Sequence, residues 1–364
     1  MGRPPPGGAP WVRRLLAGRW GLDARHTLVR PLLVDGAPPL SHTAGLWRVR
    51  GPAGDHVLKV RLVPEALRTP EFYGLKEEIG AHCRRHGVPV AAAIPALDGT
   101  TTVRCDHTVC ELTPWYPGRP ADPADPAQSA AVVRCGVRLR RALDRLPASA
   151  LDRLASVPLP LLVEEEEWRA ALLDAERRLL PLSAGRDDAF SRRAAAALRA
   201  AVAAGPLLHG SLGGLRAAEP AAIHSDLHPQ HFIVAPRPGS TAPGGGTWEV
   251  LAVLDFDNLH TGDRRLDLAW LAETAGRVRG DTARRRALAA FLDGTAGTGL
   301  LGAGDEALLM PLLMAHSLPV VVDIAKDILE RGDLSDQWPA YLELLSPERR
   351  AGVHDSLTAA SRAR

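Results

Sequence analysis

Two segments in which a short apolar run leads into carboxylates constrain the fold of this 364-residue chain more than any other feature. In the first, 221–234, an apolar run precedes a polar loop that contains Asp226 and three histidines. In the second, 250–270, the run LAVL delivers Asp255 and Asp257. Apolar runs of this length are typical of buried strands. Because hard divalent cations prefer carboxylate oxygen, the two strand ends predict a cation and phosphate site.

The remainder of the chain divides into two parts with different predicted secondary structure. Short β-type runs separated by Gly, Pro and Asp turns predict an antiparallel sheet, interrupted by one helix at about 70–86 whose apolar residues recur at helical spacing. Beyond the Pro-rich stretch WYPGRPADPADP the pattern is mostly helical. We therefore expect a bilobal α+β protein with a lead-in at 1–26, a small lobe at 27–113, a hinge and linker at 114–126, a large helical lobe at 127–345 and a C-terminal helix or tail at 346–364.

The composition indicates the cellular environment of the protein and limits the classes of partner expected for it. Lys plus Arg is 44 against 42 Asp plus Glu, so the net charge of +2 gives no reason to expect a nucleic acid or an anionic membrane as partner. The four cysteines form no CxxC pair, which favours a reduced, cytoplasmic protein. The apolar stretch 308–325 contains two prolines, a histidine and an aspartate, and we interpret it as a core helix. Only three of the 44 cations are lysines, and Lys59 lies in a predicted small-lobe strand.

The two carboxylate segments resemble the aminoglycoside phosphotransferase and choline-kinase-like family of the protein-kinase-like fold. The family's catalytic loop reads H-G-D-L-H-P-x-N, and HSDLHPQH stands here at 224–231. Its metal-binding strand reads I-D-[FW]-[DE] and then G-D-x-x-x-D-L-A; here LDFD stands at 254–257 and GDRRLDLA at 262–269. The blocks match in order and spacing, and the resemblance covers about 27–345. It implies a bilobal kinase-like fold and transfer of the γ-phosphate of ATP or GTP to a hydroxyl of a small molecule.

The resemblance also implies roles for individual residues. Asp226 would accept a hydrogen bond from the acceptor hydroxyl and take its proton. Asp255 would ligate the Mg²⁺ or Mn²⁺ that bridges the nucleotide phosphates, and Lys59 would reach the α and β phosphates. His224 would orient the loop backbone, and Asp267 would receive hydrogen bonds from the loop.

Two further assignments concern the small lobe. Glu78 lies beside the apolar stripe of the predicted helix, so we expect it to pair with Lys59, with Glu77 and Glu71 as alternatives. The family's hinge corresponds to VCELTPWYPG, where backbone groups would meet adenine; the hinge candidates are Glu111, Leu112 and Thr113.

Three positions depart from the family pattern. His231 replaces the metal-ligating Asn, so either Gln230 substitutes for it, His231 binds a softer ion such as Mn²⁺, or the second metal position is lost. Asp257 remains a further candidate ligand. The expected nucleotide loop, 41–47, contains a single glycine, and Ser225 replaces a glycine of the catalytic loop.

The acceptor is left open by the sequence, because fold alone does not choose it. Aminoglycoside-like antibiotics, homoserine or choline-like metabolites, sugars and the Ser or Thr of a precursor peptide remain candidates. The acidic run at 164–167 is typical of a first helical turn, or forms an anionic patch that recruits a polycationic acceptor. A catalytically weak nucleotide-binding or regulatory module is the alternative function, motivated by His231 and the glycine-poor loop.

Overall fold

The computed structural model describes residues 8–41, 43–52, 54–105, 107–159, 166–213, 218–237 and 247–362. The sequence features that lie outside these ranges include residues 1–7 of the expected lead-in, His42 of the expected nucleotide loop, and the first half of the acidic run at 164–167.

The small lobe is a five-stranded antiparallel sheet with strand order β1-β2-β3-β5-β4. Its strands and helices are α1 (Gly8–Trp20), β1 (Leu28–Pro31), β2 (Ala44–Gly51), β3 (Gly54–Arg61), α2 (Pro70–Arg85), β4 (Val103–Cys105) and β5 (Thr108–Pro114). Helix α1 places its apolar side chains, Val12 and Leu16 among them, in the same buried cluster as Trp47 and Leu58 of the sheet. The segment expected to be a lead-in is therefore part of the small-lobe core from residue 8 onward.

Helix α2 joins the two lobes. Pro70 occupies its first turn, and the Thr69 hydroxyl accepts a hydrogen bond from the backbone N–H of Phe72, as an N-cap residue does. Its buried face carries Phe72, Leu75 and Ile79, which belong to the same hydrophobic cluster as the core of the large lobe. The predicted helix is present, and its apolar face packs on the large lobe.

The large lobe is mostly helical, with short strands that carry the polar loops. Its elements are β6 (Arg119–Pro120), α3 (Pro126–Leu143), α4 (Ala148–Ser156), α5 (Glu167–Asp174), α6 (Leu180–Ser183), α7 (Ala189–Leu212), β7 (Ala221–Ile223), β8 (Phe232–Pro236), β9 (Trp248–Val253), β10 (His260–Gly262), α8 (Arg265–Gly276), α9 (Asp281–Thr295), α10 (Glu306–Lys326), α11 (Trp338–Leu344) and α12 (Pro347–Arg362). Strand β8 pairs with both β6 and β9, and β7 pairs with β10. The expected linker at 114–126 therefore contains a strand of the large lobe.

Helix α10 is long and apolar enough to cross a membrane, but it is a core helix of the large lobe. Leu309, Leu313 and Val321 are almost fully buried inside the fold. The helix packs against α5, α7, α8 and α12. Helix α12, expected to be a terminal helix or tail, is thereby part of the large-lobe core.

A glycine brings two helices close enough to position the loop that follows β7. A Cβ atom at Gly136 of α3 would lie 2.3 Å from Cδ2 of Leu271 on α8, so only glycine fits this crossing. Arg140, one turn after Gly136 in α3, meets Asp267, one turn before Leu271 in α8. The close helix crossing therefore places a buried ion pair directly beneath the polar loop.

Candidate active site

The β7–β10 pair brings the two polar segments predicted from the sequence together. Ile223 of β7 lies opposite His260 of β10, which places the loop at 224–231 beside the loop at 254–258. His224 links the two loops, since its Nε2 lies 3.0 Å from the backbone oxygen of Leu254 and its ring packs edge-on against Phe256 at 4.6 Å. The two strand ends thus form one site, as their sequence pattern indicates.

Asp267 holds the backbone of the first loop. Its side chain is fully buried and accepts hydrogen bonds from the backbone N–H groups of His224 (3.1 Å) and Ser225 (2.9 Å). It also accepts one from Nη1 of Arg140 at 2.8 Å, which neutralises its charge. The carboxylate therefore acts on Asp226 indirectly, through the loop that carries it.

Two residues of the site have left-handed backbone conformations. Ser225 has φ +65° and Asp255 has φ +59°, values that residues other than glycine rarely adopt. The Ser225 hydroxyl donates to the backbone oxygen of Asn258 at 3.2 Å, and the indole N–H of Trp270 donates to the Ser225 carbonyl at 2.9 Å. These bonds, with those from Asp267, hold the strained turn in place. The same geometry explains why glycine suits the position that Ser225 occupies.

His231 lies between the two aspartates expected to act in catalysis and metal binding. Its Nδ1 is 2.8 Å from the backbone oxygen of Asp226, and its Nε2 is 3.8 Å from Oδ2 of Asp255. Its ring packs against that of His228 at a centroid distance of 3.7 Å. Gln230, the other candidate at this turn, is exposed on the same 3₁₀ segment. His231 is therefore the side chain of the pair that faces Asp255.

Lys59 reaches the second loop from the small lobe. Its Nζ lies 2.7 Å from Oδ1 of Asp255 and 2.9 Å from Oδ2 of Asp257. The expected ion pair with Glu78 does not form, because Glu78 lies on the outer side of α2 and binds Arg153 at 2.7 Å with about half of its side chain exposed. The alternatives do not replace it: Glu77 pairs with Arg84, and Glu71 is exposed.

Lys59 belongs to a cluster of six charged side chains that we call the lobe-bridging cluster: Lys59, Arg61, Lys76, Glu111, Asp255 and Asp257. Arg61 of β3 binds both oxygens of Asp257 at 2.6 Å and Glu111 at 3.0 Å. Lys76 of α2 also pairs with Glu111, and its Nζ lies 3.2 Å from Asp257. Three cations thus meet three carboxylates across the cleft.

The cluster bears on two roles expected from the sequence. Both Asp257 oxygens are engaged by cations of the small lobe, so Asp257 connects the lobes, and its role as a metal ligand stays a prediction. Glu111 stands opposite Lys59 in the β3–β5 pairing and points its carboxylate into the same cluster. Thr113 pairs with Val57 inside the sheet, and the carbonyl of Leu112 accepts from the N–H of Ile94 at 2.7 Å. The predicted hinge residues are therefore interior residues of β5, and the chain leaves the sheet only after Pro114.

The electrostatics follow from these contacts. Burial opposes ionisation of Asp255 and Asp257, but Lys59 next to the first and Arg61 and Lys59 next to the second outweigh it, so both carboxyl pKa values are lowered. Burial also opposes the charge of Lys59, and the same carboxylates raise its pKa overall. Burial lowers the pKa of His224 and lowers that of His228 far below its usual value. The aspartates and Lys59 are charged at neutral pH, whereas these two imidazoles are neutral.

The expected nucleotide loop has a different form from a glycine-rich turn. Its glycine, Gly45, lies within β2 and pairs with Val60, so most of the segment at 41–47 is strand. The loop proper precedes it, and the backbone N–H of Ser41 donates to the side-chain oxygen of Gln337 in the large lobe at 3.0 Å. Ser41 thus connects the small lobe to the large lobe.

Arg61, Lys76 and Arg140 are the residues of the site that sequence reasoning missed. Lys76 carried a usable signal, because it is one of only three lysines in an arginine-rich chain. The two arginines carried none, since 41 arginines give no way to single them out.

The fold and site define a bilobal phosphotransferase of the protein-kinase-like class, and comparison with known proteins agrees. The sequence model described as the phosphotransferase enzyme family matches residues 43–301, more than half of the chain. The chain therefore belongs to that family, whose members transfer phosphate to hydroxyl groups. None of the curated proteins compared with this sequence matches it.

Solved structures give the same fold. A spectinomycin phosphotransferase in complex with ADP and spectinomycin superposes with a TM-score of 0.65 at 12% identity, covering 98% of this chain and 99% of that one. An amicoumacin kinase in complex with AMP-PNP and Ca²⁺ gives 0.58 at 14% identity, covering 95% and 93%. A microcompartment-associated aminopropanol kinase gives 0.58 at 18% identity, covering 97% and 96%.

Proposed function

We propose that this protein transfers the γ-phosphate of ATP, or of GTP, to a hydroxyl group of a small molecule. The observation that carries the proposal is the convergence of Asp226, Asp255 and Lys59 in one cleft, where Lys59 and Asp255 already touch at 2.7 Å. Phosphoryl transfer needs positioning and charge neutralisation more than covalent chemistry, and these three groups supply both.

The roles divide by chemistry. The Asp226 side chain is about a third exposed on a rigidly held loop, so its carboxylate is available to an acceptor hydroxyl and takes the proton as the phosphate is transferred. Lys59 supplies a compact positive charge for the phosphates. Asp255 provides the carboxylate for a divalent cation, which would neutralise charge on the phosphates when bound. Asp255 must then exchange part of its contact with Lys59 for the cation and nucleotide.

The divalent ion that we propose to accompany the nucleotide is Mg²⁺ or Mn²⁺. The donor set suits such an ion, because a carboxylate oxygen of Asp255 and a ring nitrogen of His231 face each other with no hydrogen bond between them at 3.8 Å.

The acceptor class that we propose is a small hydroxylated compound such as an aminoglycoside-like antibiotic or an amino-alcohol metabolite, with the Ser or Thr of a precursor peptide as the alternative. The solved relatives act on or bind compounds of the first kind, as their names say: spectinomycin, amicoumacin and aminopropanol. We propose a cytoplasmic site of action with no nucleic-acid or membrane partner, consistent with the small net charge of +2.

The test is a phosphate-transfer screen with purified protein. ATP and GTP are each supplied with Mg²⁺ or Mn²⁺ against a panel of hydroxylated antibiotics, amino alcohols, sugars and Ser-containing peptides, and products are detected by ³¹P NMR and mass spectrometry. We expect Asp226→Asn to lower kcat by about 10² to 10⁴ while leaving nucleotide binding intact. Protein that neither hydrolyses nor transfers the phosphate with any acceptor, although it binds nucleotide, would refute the proposal in favour of a binding module.

A further inference from the structure

The ring of His231 is fixed in one orientation and one tautomer. Its Nδ1 lies 2.8 Å from the backbone oxygen of Asp226, and a carbonyl oxygen can only accept, so Nδ1 carries the proton. In the neutral ring Nε2 therefore holds a free lone pair. The ring is held on one side by His228, at a centroid distance of 3.7 Å, and the side chain is 14% exposed. A backbone carbonyl on the far nitrogen is the usual support of a metal-bound histidine.

The nitrogen that holds the free lone pair lies near Asp255. Nε2 lies 3.8 Å from Oδ2 of Asp255, too far for a hydrogen bond. Two ligands bound to one ion at about 2.1 Å stand ~3 to 3.6 Å apart for ordinary coordination angles. A shift of a few tenths of an ångström would therefore let the nitrogen and the oxygen share one cation. The other Asp255 oxygen is bound to Lys59, which fixes the carboxylate on the opposite side.

A second grouping of ligand atoms is less suitable. Asp226, His228 and His231 each offer an atom within 4.8 Å of the others, and Nε2 of His228 lies 3.7 Å from the Asp226 carboxylate. The His231 nitrogen nearest the Asp226 carboxylate is Nδ1, at 3.9 Å, and this nitrogen is already bonded to the Asp226 carbonyl. The existing ring orientation favours the Asp255 side.

We propose that His231 and Asp255 form an imidazole–carboxylate cation site that selects first-row transition ions over Mg²⁺ and Ca²⁺. Imidazole nitrogen raises affinity along the series Mn²⁺, Co²⁺ and Zn²⁺, whereas hard Mg²⁺ and Ca²⁺ gain little from it. The metal preference of the enzyme would then depend on a single side chain. The inference rests on the proposed function in one respect, because it takes this cation to be the one that accompanies the nucleotide.

The experiment measures metal binding by the full chain without acceptor, so its outcome is independent of phosphate transfer. Affinities for Mg²⁺, Mn²⁺, Co²⁺ and Zn²⁺ are measured with and without AMP-PNP for wild type and His231→Asn. We expect the substitution to weaken Mn²⁺ binding by about tenfold and Zn²⁺ binding by more, up to about a hundredfold. The affinity for Mg²⁺ should stay equal or become tighter, because the amide oxygen of Asn is a ligand that Mg²⁺ accepts. Electron spin-echo modulation of bound Mn²⁺ should show a directly coordinated ¹⁴N in wild type that disappears in His231→Asn.

The control is His86→Asn. The Nδ1 of His86 also lies near a backbone oxygen, that of His82 at 3.0 Å, but this ring caps α2 far from the two aspartates. The His86→Asn variant should bind each metal ion as the wild type does. Matching unfolding midpoints of the metal-free proteins show that each variant is folded, and His231→Gln replaces His231→Asn if the latter does not fold. Equal Mn²⁺ and Zn²⁺ affinities in wild type and the His231 variant, or no ¹⁴N signal, would overturn the inference. The inference would also be overturned if His228→Asn abolished metal binding and Asp255→Asn kept it.

Discussion

Replacing Asp257 by Asn tests whether the lobe-bridging cluster stabilises the fold as a balanced set of charges. Asp257 contacts three cations: Arg61 through both oxygens at 2.6 Å, Lys59 at 2.9 Å and Lys76 at 3.2 Å. The substitution leaves three buried cations facing only two carboxylates. Breaking a buried ion pair from one side costs about 3–5 kcal/mol, because a buried charge loses its partner.

The same cluster predicts a compensating change. At 3.2 Å and an effective dielectric constant of about 20, the attraction between Asp257 and Lys76 is about 5 kcal/mol before desolvation is subtracted. We expect about 2 kcal/mol of this to appear as coupling in a double-mutant cycle. We take about 4 kcal/mol as the cost of Asp257→Asn. Lys76→Met should cost about 2 kcal/mol, because Asp257 keeps Lys59 and Arg61 as partners. The double variant should then also lose about 4 kcal/mol, since removing one charge of each sign restores the balance.

Thermal unfolding measures these differences. With about 2.1 cal/mol/K of unfolding entropy per residue, a loss of 4 kcal/mol lowers Tm of this 364-residue chain by about 5 °C. Asp257→Asn and the double variant should therefore have nearly the same Tm. Asp323→Asn is the control, because its partner Arg331 is at the surface and the Asp323 side chain is 63% exposed, so Tm should stay unchanged. Additive losses in the double variant would refute the balanced-charge reasoning.

Three further outcomes follow from the site. Lys59→Ala should lower the phosphate-transfer rate, measured by ADP release, at least about 100-fold. Glu78→Gln should leave the rate unchanged, since Glu78 pairs only at the surface. Equal losses of rate in the two variants would contradict this. Ser225→Gly should keep Tm within about 1 °C of the wild-type value. Ser225→Val should destabilise the fold by about 2 kcal/mol or more, because a β-branched residue resists φ +65°. Equal Tm values for the two variants would argue against backbone strain at this position. Both His224 and His228 have lowered pKa values in the folded protein, so the unfolded chain binds more protons below about pH 6.5 and stability should fall with pH. His228, whose pKa lies far below its usual value, should contribute up to about 1.4 kcal/mol per pH unit. A urea-unfolding free energy that is flat between pH 7 and 5 would refute this.

The two carboxylate loops could be predicted from the sequence because their information is local. A buried strand fixes which residue comes at its end, so Asp226 and Asp255 were placed without knowledge of the rest of the fold. The bond from the His224 backbone to Asp267 joins residues far apart in the chain, yet the two sequence blocks contain both ends. Arg140, which also bonds to Asp267, lies in α3, outside both sequence blocks. Its position depends on how closely Gly136 lets α3 and α8 approach each other.

The partner of Lys59 could not be predicted, because helical periodicity defines a stripe but not which flank of it meets the sheet. At 100° per residue, Lys76 and Glu78 lie on opposite flanks of the stripe formed by the apolar residues of α2. Since that stripe packs on the large lobe, one flank must turn toward β5 and the other toward α4. Lys76 occupies the first and meets Glu111, whereas Glu78 occupies the second and meets Arg153. Helix α2 therefore brings a cation to the cleft, and the carboxylates that balance Lys59 come from the large-lobe loop.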